Sequence, residues 1–250
     1  LNCGPPTSAY RTRSSYIIRK PGSQAKYYVF YTNNTRKGLF YSIVDMSKNG
    51  GKGAVTQKGK KISPFGSRYV TVVKQINNQD FWLVMLFSNG NKNRVQINAY
   101  PVTSAGIGAP VVSTGFNDLS FTSNPLRSLK ATPNGERLIT TAGVNFSSNT
   151  SRYKYIGSIY DFNKKRGKVV KKQGLIPRSK FNPSLQENEV YAVDIAASSN
   201  NEYIYVTSRN DNLYQIKNTI NNPHKTATKV ANNVIAGNIQ LAANDKIYYD

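Results

Sequence analysis

Apolar and polar positions alternate along this chain in short runs rather than in helical stripes. The clearest runs are Tyr27-Tyr28-Val29-Phe30-Tyr31, Phe81-Trp82-Leu83-Val84-Met85, Arg137-Leu138-Ile139-Thr140-Thr141, Tyr203-Ile204-Tyr205-Val206-Thr207 and Lys246-Ile247-Tyr248-Tyr249. They are rich in β-branched and aromatic residues, which suit a pleated, half-buried surface, so each is a predicted strand. A polar turn precedes each one: Lys20-Pro21-Gly22-Ser23, Asn77-Asn78-Gln79-Asp80, Pro133-Asn134-Gly135-Glu136, Ser199-Asn200-Asn201-Glu202 and Ala243-Asn244-Asp245. Turns of this composition between two apolar runs predict hairpins. The upstream partners are then residues 16–19, 69–74, 128–132, 192–196 and 238–242. Third strands are expected at 38–45, 94–100, 155–162 and 212–217, and fourth strands at 53–61, 108–114, 167–175 and 226–230.

The predicted second strands begin at residues 27, 81, 137, 203 and 246, spacings of 54, 56, 66 and 43. A four-strand unit recurring at about 40–50 residues or slightly more is the pattern of propeller blades. The expected fold is therefore all-β, a β-propeller of four-stranded antiparallel blades. Residues 1–250 are read as one domain with blades at roughly 11–62, 66–115, 126–176, 189–231 and 236–250. A β-sandwich with coincidental spacing is the alternative. The last unit is half a blade, and an open ring leaves strand edges unprotected. The polypeptide is therefore expected to be part of a longer one.

Composition narrows the chemistry. The 250 residues contain one cysteine (Cys3), one histidine (His224) and one tryptophan (Trp82). One cysteine allows no intrachain disulfide, and zinc sites built from several Cys and His are excluded. No run approaches the ~18–20 apolar residues of a transmembrane helix. His224 lies in the polar stretch Asn221-Asn222-Pro223-His224-Lys225. No positioned nucleophile or orienting carboxylate is evident for it, so no catalytic residue, metal or cofactor is assigned.

Several segments resemble one family. Gly38-Leu39-Phe40-Tyr41-Ser42-Ile43-Val44-Asp45-Met46-Ser47, followed by Asn49-Gly50-Gly51-Lys52-Gly53-Ala54-Val55, is similar to the β-propeller region of large Bacteroidetes surface proteins. Those proteins are exported by the type IX secretion system and often end in a gliding-motility-associated sorting domain. Residues 17–23 before Tyr27-Tyr28-Val29-Phe30, residues 99–108 and 110–113, and residues 129–138 with Tyr160-Asp161-Phe162 fit the same pattern. The resemblance spans about residues 15–249. It implies a propeller fold and a location at the bacterial outer surface, and no catalytic residues.

Charge adds a departure from that family, whose propellers are seldom so basic. The chain has 34 Lys+Arg against 12 Asp+Glu, a formal net charge of +22. The basic residues concentrate in Arg11, Arg13, Arg19 and Lys20; in Lys58, Lys60 and Lys61; and in Lys164, Lys165, Arg166, Lys168, Lys171 and Lys172. Two of these groups fall on or beside predicted fourth strands. Lysine on an exposed edge discourages sheet-to-sheet pairing. A surplus of this size also fits a polyanionic partner, such as acidic glycan, lipopolysaccharide, acidic protein or nucleic acid.

The expected function is a non-enzymatic binding or structural module mediating protein–protein or protein–glycan contacts at a cell surface or in an extracellular assembly. A polyanion- or nucleic-acid-binding particle protein is one alternative. The other is a carbohydrate-active propeller enzyme using cavity carboxylates, with Asp161 and Asp194 as its candidates. Asp45 and Asp161 occupy equivalent third-strand positions, which favours a repeated structural role, such as bonding to a turn. The three glycosylation-type triplets at Asn33, Asn145 and Asn149 are expected by chance in a chain this rich in asparagine.

Overall fold

The computed structural model describes residues 15–33, 38–64, 70–88, 95–114, 126–142, 157–175, 192–208, 212–231, 239–242 and 244–249. Arg11, Arg13, Cys3, Asn145 and Asn149 lie outside the described residues. The chain divides into two compact units. The first holds two blades. Blade 1 is β1 (Ser15–Arg19), β2 (Lys26–Asn33), β3 (Gly38–Asp45) and β4 (Ala54–Ser63), paired antiparallel in that order. Blade 2 is β5 (Val70–Lys74), β6 (Phe81–Ser88) and β7 (Val95–Thr103), with β8 (Gly106–Ile107) and β9 (Val111–Ser113) both paired to β7. The turn Lys164–Gly167 also belongs to this first unit.

The second unit holds blade 3, from β10 (Leu126–Ala131), β11 (Arg137–Ala142), β12 (Gly157–Asn163) and β13 (Lys168–Gly174). Blade 4 is β14 (Ala192–Ala197), β15 (Tyr203–Ser208), β16 (Leu213–Lys217) and β17 (Thr228–Ala231). A further hairpin, β18 (Ile239–Leu241) and β19 (Ile247–Tyr249), follows. The strand order within each four-stranded sheet is the chain order. First strands of successive blades adjoin: β1 meets β5 in the first unit, and β14 meets both β10 and β18 in the second. The fold is all-β, with the four-stranded antiparallel blades of a β-propeller.

The outer strand of blade 2 departs from the expected single run at 108–114. Pro101 sits in β7 and has no N–H to give a continuous ladder, and Pro110 interrupts the outer chain. The strand therefore breaks into β8, which pairs with Val102 and Thr103, and β9, which pairs with Ile97 to Ala99. Gly108 marks the break. Its N–H donates to Pro101 O at 2.9 Å, and a Cβ there would stand 2.9 Å from Pro101 Cγ.

One turn device recurs between first and second strands. In blade 3, Asn134 Oδ1 accepts from the Glu136 N–H (3.1 Å), and Thr132 Oγ1 accepts from the Arg137 N–H (3.1 Å). In blade 4, Asn200 Oδ1 accepts from the Glu202 N–H (3.1 Å), and Ser198 Oγ accepts from the Tyr203 N–H (2.9 Å). Asn77 and Asn244 make the equivalent Asx bonds in the other hairpins, to the N–H groups of Gln79 and Lys246. Asn78, Asn201 and Asp245 adopt positive φ in these turns. Asparagine tolerates that conformation and hydrogen-bonds its own local backbone, which explains its abundance.

The cores lie between facing blades within each unit. Tyr28, Phe30, Leu39, Val70, Leu83, Met85, Tyr100 and Val102 pack together in the first. Ile139, Ile159, Ile195, Ile204, Val206, Tyr214 and Ile216 do so in the second. Burial raises the Tyr28 hydroxyl above its ordinary value, and the neighbouring Tyr41 adds to this. The middle strands are covered on both faces, so Trp82 to Leu86 of β6 are all buried, while β1 alternates between exposed and half-buried positions.

Asp45 closes β3 and shapes the turn that follows. Its Oδ1 accepts from the Ser47 hydroxyl (2.6 Å) and the Ser47 N–H (3.0 Å), and Lys26 Nζ lies 3.9 Å from Oδ2. The Ser47 bonds, with the charges of Lys26 and Lys48, hold the carboxyl below its usual range against the opposing effect of burial. A lowered carboxyl stabilises the fold above its ordinary pKa, and this is lost as pH falls through the folded value. The urea midpoint of the full chain is expected to exceed that of Asp45→Asn at pH 6, and the gap to shrink at pH 3. An equal gap at both pH values would contradict this account.

Candidate functional site at the basic outer strands

The candidate basic residues fall in three places. Lys58, Lys60 and Lys61 are exposed on β4, the last strand of its sheet. Arg19 and Lys20 lie at the end of β1, the opposite edge of the same sheet. Three strand spacings separate those edges, about 14 Å, so these residues do not join the β4 group. Lys20 is engaged within its unit, donating from Nζ to Ser104 O at 3.1 Å. Lys164, Lys165 and Arg166 form a turn, while Lys168, Lys171 and Lys172 lie on β13, the last strand of blade 3. Lys171 donates to Asn221 Oδ1 at 3.3 Å.

The turn Lys164–Gly167 is pinned within the first unit by the single tryptophan. Trp82 Nε1 donates to Lys164 O at 2.7 Å, and Gly167 lies flat against the indole. A Cβ at Gly167 would stand 2.6 Å from two atoms of that ring, and its φ is +65°. Only glycine satisfies both demands. Two adjacent basic side chains, Lys165 and Arg166, are thereby presented on a fixed backbone.

The outer strands carry a common pattern. Ladder register shifts occur opposite β4, β13 and β17, and lysines lie close to each shift. The β3–β4 ladder shifts three times, and the middle shift, between Tyr41 and Ile43, includes Gly59, with φ +64°, whose N–H donates to Ser42 Oγ at 3.2 Å. Lys61 Nζ sits 6.0 Å above the Phe40 ring, which stacks on Tyr31 at 5.9 Å. This cation–π contact fixes Lys61 across three adjacent strands, from β2 through β3 to β4.

The carboxylates have different employment. Asp161 accepts from Arg137 Nε at 3.2 Å, and the same guanidinium donates to Asn218 Oδ1 (2.9 Å) and to Asn218 O. Asn218 Nδ2 donates to Asn201 O, and Asn201 Oδ1 accepts from the Asn134 N–H. This network joins blades 3 and 4. Asp194, which is 8% exposed, accepts from Lys130 Nζ at 2.7 Å and from the Ile239 N–H at 3.1 Å. Lys130 Nζ also donates to Ile239 O at 2.6 Å. Here β10, β14 and β18 are tied together by one ion pair.

Asp161 and Asp194 are therefore not brought together as a glycosidase pair. Each belongs to a separate network, on a third and a first strand respectively, with its own cationic partner. The expected equivalence of Asp45 and Asp161 holds in position, since each is paired antiparallel to the start of its second strand. Their partners differ: Asp45 holds its own turn, while Asp161 anchors Arg137.

The Lys130–Asp194 pair and the Trp82 pin were not foreseen from sequence. A signal for the aspartate existed, since Asp194 interrupts an otherwise apolar and small-residue first strand. Among the described residues no group of three or more Cys, His, Asp and Glu side chains is placed to hold a metal ion. No helix among them is long and apolar enough to cross a membrane.

No family model matches the chain, and no curated protein matches it. Solved structures do. Kluyveromyces lactis Hsv2 is 10% identical at a TM-score of 0.46, over 86% of this chain and 51% of that one. Its form with loop 6CD replaced by a Gly-Ser linker is 11% identical at 0.49, over 94% of this chain and 59% of that one. The Dos1 propeller is 8% identical at 0.49, over 94% of this chain and 50% of that one. The chain thus spans about half the length of the solved structures it is similar to.

Proposed function

We propose that the chain is a non-enzymatic binding module whose basic outer strands engage an anionic partner. One observation carries this reading. Asp45, Asp161 and Asp194 are taken up in internal ion pairs and turn bonds, while Lys58 and Lys60 stand exposed without a carboxylate partner among the described residues. The positive surplus therefore faces outward and raises the local concentration of anions. The resemblance of residues 38–47 and 49–55 to type IX secreted propellers supports a place at a bacterial cell surface or in an extracellular assembly. Acidic glycan, lipopolysaccharide and acidic protein are the partner chemistries that fit there, and nucleic acid ranks below them.

The test is binding of the full chain to heparin, polyglutamate and single-stranded DNA across a salt series. Exposed charges are screened over about 8 Å at physiological ionic strength. Affinity for one polymer is expected to exceed the others by tenfold or more and to fall steeply between 50 and 300 mM salt, both values being on the order of those that separate screened from unscreened contacts. Equal, weak binding to all three polymers would leave the lysines with edge protection as their role.

A further inference from the structure

β4 is ten residues long and ends its sheet, and among the described residues no backbone hydrogen bond is seen on the outer side of residues 54–62. A free strand edge offers main-chain donors and acceptors to any extended chain that fits. The chemistry of β4 restricts what fits. Thr56, Lys58, Lys60 and Lys61 are its exposed side chains. No acidic residue occurs in the sequence between Met46 and Gln79. The nearest carboxylate on the adjoining strand is Asp45, which is buried and bonded to Ser47.

A second copy of this chain is a poor occupant. Pairing β4 with itself sets lysines opposite lysines, and like charges directly across a ladder are destabilising. The bulge at Gly59 further limits a long flat pairing. An acidic strand meets neither obstacle over the short regular stretch at Lys60 and Lys61, which pairs in step with Tyr41 and Phe40. The lysines that bar self-association thus select an acidic partner.

We propose that the outer edge of β4 is a docking site for an extended acidic peptide of a protein partner, taken up as an additional strand with its carboxylates against Lys58, Lys60 and Lys61. This rests on the reading of the chain as a binding module for anionic partners, and it names the partner's chemistry and place.

The experiment uses the full chain and a fluorescein-labelled nonaglutamate peptide, whose carboxylates reach both faces of the strand, followed by anisotropy. A second peptide of the same sequence is N-methylated at alternate residues, which keeps its charge and removes its edge hydrogen bonds. Heparin serves as the non-peptide polyanion. The variants are Lys58→Glu/Lys60→Glu/Lys61→Glu and, as a basic edge elsewhere, Lys225→Glu/Lys229→Glu. All five positions are exposed, and circular dichroism checks that each variant keeps its sheet. Expected are at least tenfold weaker peptide binding in the β4 variant, a similar loss on N-methylation, and less than a twofold change in the other variant. Undiminished binding to the β4 variant, or to the N-methylated peptide, overturns the proposal. Heparin binding without peptide binding overturns it too, yet leaves the anionic-partner reading standing. Failure of every polyanion to bind removes both.

Discussion

Lys130→Met is expected to lower the melting temperature of the full chain by about 4–12 °C. The substitution keeps the aliphatic stem and removes the ammonium that bonds both Asp194 Oδ2 and Ile239 O. Asp194 then remains in a nearly buried position with a charge and no counter-ion. Breaking a fully buried pair in this one-sided way costs about 3–5 kcal/mol. The lysine side chain keeps 30% of its exposure, so solvent screens the pair, and about 2–3 kcal/mol is the appropriate figure. For a chain of this size each kcal/mol moves the midpoint by about 2–4 °C. The Ile239 N–H, bonded to the same carboxylate, is expected to exchange faster with solvent deuterium.

A double substitution separates the charge from the packing. Lys130→Met/Asp194→Leu removes both charges and leaves apolar groups of similar bulk, a change that is often neutral in other buried pairs. It is expected to be less destabilised than Lys130→Met alone. If the double variant instead melts at the sum of the two single losses, the pair is not the fastening that joins β10, β14 and β18.

Gly167→Ala is the second substitution with a large expected effect, about 2–5 kcal/mol. Left-handed backbone geometry costs a non-glycine residue about 1–2 kcal/mol. The new methyl would also meet the Trp82 ring at 2.6 Å. The indole cannot withdraw freely, because it is buried and its Nε1 is bonded to Lys164 O at 2.7 Å. Overpacking of this kind typically adds about 1–3 kcal/mol. In a Trp82→Phe background the smaller ring gives room, and Gly167→Ala should then cost only the backbone part, about 1–2 kcal/mol. Urea denaturation of the four proteins measures the coupling. A cost for Gly167→Ala that does not depend on residue 82 would mean that the indole does not pin the turn. The same cycle bears on function, since a loosened turn no longer presents Lys165 and Arg166 on a fixed backbone.

Much of the fold was legible because its signals are local. The strands at Tyr27, Phe81, Arg137 and Tyr203 are β-branched and aromatic runs bounded by Asn, Gly and Pro, and each lies within two or three residues of its expected limits. The hairpin turns are equally local, since an asparagine side chain bonds a backbone N–H two residues ahead whatever surrounds it. Blade 2 shows where this stops. Pro101 lies in β7 and Gly108 just beyond β8, and only the contact between them reveals that the outer strand must break there.

The candidate site was legible in composition and incomplete in geometry. The sequence by itself determined the class of fold, the repeat of four strands, the surplus of positive charge and the residues that carry it. These follow from residue type and spacing along the chain. Only the tertiary structure decided which charges are spent internally and which face outward. Lys130 and Asp194 are 64 residues apart, Arg137 and Asn218 81 apart, and Trp82 and Lys164 82 apart. Partnerships at such separations depend on how blades face one another. No local preference encodes them, because a lysine on a first strand and a lysine on an edge strand have the same propensities and differ only in what lies beside them.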